Sequence, residues 1–215
     1  MHVLPLPSSY AAVFAAALRG DPCEVVGLAP EPRRLPVDDW SRPVDKSDLA
    51  LIADCRGETL DVGCGPGRMT RALAERGHAV LGIDVVPEAV RLTRRRGAPA
   101  LLRDVFEPVP GEGRWATVLL ADGNVGIGGD PHALLLRVLA LLAPGGRVVV
   151  DVAAPGTGVV TRQVRLQTAT MHSRPFPWTV VGADALGAVA LGAGLVTTAV
   201  RRLGDRWFAV LEKRR

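Results

Sequence analysis

An α/β fold, doubly wound around a mostly parallel sheet, is predicted from three features of this chain. From Glu58 onward, short apolar runs alternate with stretches of helical period, the pattern of strands buried on both faces and joined by helical crossovers. One strand-to-helix junction, Leu60-Asp61-Val62-Gly63-Cys64-Gly65-Pro66-Gly67-Arg68-Met69-Thr70, places glycine at alternate positions. The runs also end in acidic or glycine-rich positions, at 61–67 and at Asp84, Asp104 and Asp122. Right-handed crossovers bring such strand ends to one edge of the sheet, and ligands of open α/β sheets bind outside that edge.

Residues 1–46 fall outside the alternation and read as an N-terminal helix followed by a covering segment. Ser8 or Ser9 is placed to cap a helix over 11–18, which Gly20-Asp21-Pro22 stops. The alanine-rich piece has the look of a signal-peptide core, but His2 is the only basic residue ahead of it and Arg19 ends it. An ordinary helix is expected. A Pro/Arg-rich connection over 28–36 leads to Trp40, which either lines a substrate pocket or fills a gap against the core.

Residues 47–52 begin a helix that leads into the repeating part of the chain, taken as one domain over 47–215. Strands are expected at 59–62, 79–83, 100–103, 115–121 and 147–152, and helices at 69–75, 87–95, 132–142 and 183–192. Residues 159–166 alternate like a half-exposed strand, and 176–181 are suited to pair back with it. The expectation is a hairpin flap over the site at about 156–181. Arg162 and Arg165 on it either hold an anionic substrate or form the solvent face.

The glycine turn narrows the ligand. Glycines at 63, 65 and 67 let a ligand lie against bare main chain beside a helix start, whose free N–H groups favour anionic or electron-rich groups. A dinucleotide fingerprint starting from Gly63 and Gly65 requires its third glycine where Arg68 stands. A P-loop requires a lysine that this turn lacks. About twenty residues further on, Asp84 ends an apolar run where an acid can accept both hydroxyls of a ribose. The same acid could instead serve the start of the helix at Pro87.

Asp61 followed by this turn, LDVGCGPG, resembles motif I of the class I S-adenosylmethionine-dependent methyltransferases, and the resemblance covers roughly 47–213. Leu142-Ala143-Pro144-Gly145-Gly146-Arg147 is similar to the element before that family's fifth strand, and 195–213 to its closing antiparallel hairpin. The resemblance implies a seven-stranded Rossmann-like sheet with an antiparallel last strand, and S-adenosyl-L-methionine as cofactor. Its implied contacts are Asp61, Gly63, Cys64, Gly65 and Gly67 at the turn, Asp84 and Val85 at the ribose, and Asp104 and Val105 at the adenine. Asp122, Gly123 and Asn124 fall where the family places the methionine end. A surface loop acid is the plain alternative for Asp104, and turn chemistry the alternative for Asp122 and Asn124.

Methyl transfer from a sulfonium needs chiefly proximity, alignment and exclusion of water. A general base is needed only where the nucleophile must lose a proton. His132, His172, Asp122 and Tyr10 are the candidates, whereas His78 falls on the opposite edge.

The place after the fourth strand reads Ala-Asp-Gly-Asn-Val-Gly. It lacks the Pro-Pro-aromatic motif of DNA amino-methylating enzymes and the Pro-Cys of cytosine-carbon enzymes. The acceptor is therefore expected to be a small molecule, methylated on oxygen or nitrogen, with nucleic acid not the expected partner. A non-catalytic binder of S-adenosylmethionine and an RNA methyltransferase are the alternatives, the latter resting on the net charge of +4 alone. That charge comes almost wholly from arginine in separated clusters without interleaved aromatics, as on a solvated surface.

At 215 residues and 48% hydrophobic content the chain has room for a full core. Cys23, Cys55 and Cys64 show no paired spacing, so neither a disulfide framework nor a metal site is expected, and the setting is read as cytoplasmic. Arg137, Pro144-Gly145-Gly146 and Arg147 interrupt the apolar tract over 133–154, which is not a membrane span.

Overall fold

The computed structural model describes residues 7–214; His2 and Arg215 lie outside the described residues. The N-terminal helix α1 (Tyr10–Leu18) is capped by the Ser9 side chain. Two short strands follow, β1 (Glu24–Val26) and β2 (Arg33–Arg34), and then α2 (Val37–Ser41). Helix α3 (Lys46–Ile52) starts in a capping box, in which Asp45 accepts from the Asp48 backbone N–H and the Asp48 side chain accepts from that of Asp45.

The alternating part runs β3 (Thr59–Val62), α4 (Arg68–Glu75), β4 (Val80–Asp84), α5 (Pro87–Arg95), β5 (Ala100–Leu102) and β6 (Trp115–Leu120). A 3₁₀ stretch, Asn124–Gly129, precedes α6 (Pro131–Leu141) and β7 (Leu142–Val152). The chain closes with β8 (Val159–Gln167), β9 (Phe176–Val181), α7 (Leu186–Gly192), β10 (Leu195–Leu203) and β11 (Arg206–Lys213). Two helix starts follow from local chemistry. Proline occupies the first turn of α5 and of α6, and Asp130 caps α6 through the Ala133 N–H at 3.0 Å.

The main sheet has seven strands in the order β10-β11-β7-β6-β3-β4-β5. Pairings β3–β4, β3–β6, β4–β5 and β6–β7 are parallel, and β11 runs antiparallel between β7 and β10. Every residue of β3 is buried. Alternate residues of β7 serve opposite layers: Val148 and Val150 join Leu134, Val138 and Leu186, whereas Val149 joins Leu51, Leu73 and Phe208. A central strand buried on both faces needs this uninterrupted apolar run.

A second sheet, in the order β2-β1-β8-β9, is antiparallel throughout and spans two distant parts of the chain. The covering segment is therefore not only helix and connection. β1 pairs Glu24–Val26 with Gln167, Leu166 and Arg165, which covers an edge of β8 that would otherwise present unpaired backbone groups. Three residues are too few to show a strand period, so β1 was invisible in the sequence. No helix among the described residues is long and apolar enough to cross a membrane.

Candidate active site

A cavity of about 630 Å³ opens where the tips of β3, β4, β5 and β6 face α1 and the β8–β9 hairpin. Its floor is the glycine turn between β3 and α4. Gly67 lies in the left-handed region (φ 86°), and a Cβ there would sit 2.6 Å from Thr93 Oγ1. Gly65 (φ 54°) differs, because a Cβ on it would meet nothing within 4 Å. Here the bare main chain faces open space.

Three side chains brace this turn. Thr93 Oγ1 lies 2.9 Å from the Gly65 carbonyl and donates to it. Asn124 Nδ2 donates to the carbonyls of Val62 at 2.8 Å and Gly63 at 3.0 Å. Asp84 accepts from the Gly65 N–H at 2.9 Å with one oxygen and from the Val86 N–H at 2.8 Å with the other. Asp84 thus ties the turn to the start of α5, the helix-start role read for it. It is 9% exposed. Burial pushes its carboxyl above the ordinary range against the pull of the two N–H groups.

The remaining cofactor candidates gather at the same edge. Asp61, 1% exposed, accepts from Thr70 Oγ1 at 2.6 Å. Burial pushes its carboxyl up to about 7, which the Thr70 bond opposes and the Asp122 charge assists. Cys64 is buried with its thiol pushed up by desolvation. Val85, Asp104, Val105 and Asn124 all line the cavity. Asp104 is exposed and accepts from the Phe106 N–H at 3.0 Å. Gly123 (φ 81°) follows Asp122, the one non-glycine with positive φ among the described residues.

Three residues hold Asp122. Its carboxylate accepts two bonds from Arg68, at 2.7 and 2.8 Å, and one from Arg206 at 3.2 Å, while its N–H donates to Asp151 at 2.7 Å. Arg68 also pairs with fully buried Asp48, which further accepts from Arg206 at 2.5 Å and Arg42 at 2.6 Å. Burial alone would raise the Asp48 carboxyl, but Arg68, the Asp45 N–H and Arg42 hold it down to about 2. This cluster was not legible in the sequence, where Arg68 counted only as an obstacle to a dinucleotide. Its acids lie 20 and 54 positions away.

The base candidates separate. His132 is exposed on the first turn of α6 beside Gly192, and His172 bridges to Gln167 between β8 and β9. Neither lines the cavity, whereas Tyr10 and Asp122 do. Burial, then the charges of Asp84 and Cys23, push the Tyr10 phenol above its ordinary value, so it stays protonated. Trp40 lines the cavity and stacks on Phe14 at 5.6 Å. Arg162 and Arg165 are both exposed and outside the lining.

Residues 59–146 match the family model described as "Methyltransferase domain". The chain is similar to a trans-aconitate 2-methyltransferase of Paracidovorax citrulli, with 30% identity over 118 residues, 53% of this chain and 45% of that protein. It is also similar to a ubiquinone biosynthesis O-methyltransferase of Xylella fastidiosa, with 32% identity over 103 residues, 43% of this chain and 40% of that protein. The aligned chain spans less than half the length of either relative. Among solved structures, a SAM-dependent methyltransferase from Bacteroides fragilis in complex with S-adenosyl-L-homocysteine superposes with a TM-score of 0.79. It is 23% identical and covers 98% of this chain and 97% of its own. The Burkholderia thailandensis 1,6-didemethyltoxoflavin-N1-methyltransferase gives a TM-score of 0.63 at 20% identity, covering 100% and 94%. At these identities the likeness establishes the fold.

Proposed function

We propose that the chain, which belongs to the class I S-adenosylmethionine-dependent methyltransferases, moves a methyl group to an oxygen or nitrogen of a small-molecule acceptor. The observation that carries this reading is Asp84. It is a buried carboxylate with no cationic partner among the described residues, and it fixes the N–H of a glycine that faces an open cavity. A carboxylate accepts through several lone pairs, so one held by two backbone N–H groups still has capacity for a diol. The residues present fit the cofactor.

When bound, S-adenosylmethionine supplies a methyl group whose carbon already carries a good leaving group. The chain's own residues bind and align. Asp84 would hold the ribose, and Asp104 with the Val105 main chain would hold the adenine edge. Val85 and Phe106, 45% and 44% exposed at the cavity wall, supply apolar surface for a base. Asp122 is committed to Arg68 and Arg206, so it acts as a positioning residue that fixes the loop carrying Gly123 and Asn124. The hairpin and α1 cover the site and exclude water, which favours transfer to the acceptor over side reactions.

The names of the trans-aconitate 2-methyltransferase, the ubiquinone biosynthesis O-methyltransferase and the 1,6-didemethyltoxoflavin-N1-methyltransferase support the small-molecule class. The test is acceptor-dependent release of S-adenosylhomocysteine from purified protein across a panel of phenols, amines and carboxylic acids. Release with at least one acceptor is expected. Saturable cofactor binding without release for any acceptor would favour a non-catalytic binder.

A further inference from the structure

The cavity has two chemically different halves. Along the strand tips it is charged: four acids, Asp61, Asp84, Asp104 and Asp122, and two arginines, Arg68 and Arg103, line it. Arg68 is spent on Asp48 and Asp122. The opposite wall comes from α1, α2 and the β8–β9 hairpin, and it is built from rings. Trp40 stacks on Phe14 at 5.6 Å and 28°, Phe14 on Tyr10 at 5.5 Å and 26°, and Tyr10 and Phe176 form a T-shaped pair at 4.8 Å. Trp178, two residues beyond Phe176 and so on the same face of β9, extends this wall. Val164 and Leu166 of β8 fill in beside them. Among the described residues, the Tyr10 hydroxyl is the one polar side-chain group that the ring row offers besides the indole N–H groups of Trp40 and Trp178.

Resting on the functional reading above, we propose that the acceptor is a flat aromatic or heteroaromatic molecule bearing at most one negative charge, and that a polycarboxylate is rejected. Rings favour offset or edge-on contact with other rings, which this wall provides and a chain of carboxylates cannot use. A polyanion would find among the lining residues a single cation not already paired in a salt bridge, Arg103, because Arg68 is held by Asp48 and Asp122. Desolvating several carboxylates without matching cations is costly. The Tyr10 phenol, kept protonated, would donate one hydrogen bond to a ring substituent.

The test is calorimetric titration of the full chain, saturated with S-adenosylhomocysteine, using 2-naphthol and citrate as probes. Saturable 2-naphthol binding is expected, with none for citrate in the same concentration range. Trp178→Ala and, separately, Phe176→Ala should each weaken 2-naphthol at least tenfold while S-adenosylhomocysteine affinity stays within twofold. Circular dichroism confirms that each variant is folded, and two independent positions keep the test meaningful if one is not. Citrate binding more tightly than 2-naphthol, or 2-naphthol affinity unmoved in both folded variants, overturns the proposal. Failure to bind S-adenosylhomocysteine in the first step sinks the functional reading itself, so the two failures are distinguishable.

Discussion

The carboxylate of Asp84 accepts a hydrogen bond from the backbone N–H of Gly65 at 2.9 Å, so the tip of one strand fixes the turn that leaves its neighbour. The same carboxylate is the proposed ribose acceptor. Replacing it removes a ligand contact and loosens the turn together. A hydrogen bond to a charged group is worth about 1.5–3 kcal/mol. Asp84→Ala is therefore expected to weaken S-adenosylhomocysteine by about 10- to 100-fold, read by calorimetry. An affinity within twofold of wild type would remove Asp84 from the site.

Gly65 and Gly67 should respond differently to alanine. At Gly67 the new methyl meets Thr93 Oγ1 at 2.6 Å in a left-handed backbone, so stability should fall by about 2–4 kcal/mol in urea unfolding. At Gly65 nothing lies within 4 Å, so only the backbone cost of about 1–2 kcal/mol applies. Gly65→Ala should nevertheless lose more cofactor affinity per unit of stability lost, because its methyl projects into the cavity. Equal losses in both variants would contradict the geometry.

Arg68 is 5% exposed and joins Asp48 to Asp122. Arg68→Met takes one of three arginines from a buried carboxylate, and breaking a buried pair costs about 3–5 kcal/mol. Arg206 and Arg42 remain on Asp48, so the lower end, about 3 kcal/mol, is expected. Asp48→Asn should cost less in the Arg68→Met background than in wild type, because one of the ion pairs it breaks is already gone. A strictly additive double mutant would show that the pair is not coupled.

Asp61 carries a pH signature. Its folded-state carboxyl is raised to about 7, above its unfolded value of 3.8. The stability it contributes is thus fully present below the unfolded value and is lost as pH rises through about 7. Asp61→Asn keeps an oxygen for Thr70 and cannot ionise. Between pH 5 and pH 8 wild type should lose a few kcal/mol relative to this variant, with unfolding midpoints as the readout. Parallel pH profiles would mean that Asp61 keeps its ordinary ionisation.

Much of the fold was legible because its signals are local. The strand runs, the proline at the start of α5 and the alternating glycines each span a few residues, and the strand-tip acids follow from topology. The edge where the cavity opens could be located for the same reason. What stayed hidden depends on distant pairing. Thr93 lies mid-helix with nothing to distinguish it until α5 packs on the glycine turn. Arg206 reaches Asp48 across 158 positions. The ring row draws on α1, α2 and β9, which no sequence window contains together. His132 and His172 were attractive for their chemistry alone, and the structure sets both outside the cavity lining.

The most direct test of the central claim is a calorimetric titration of purified protein with S-adenosylhomocysteine, set beside one with NAD. The account predicts saturable one-to-one binding of the thioether and none of the dinucleotide. No saturable affinity for S-adenosylhomocysteine, or a preference for NAD, would contradict it.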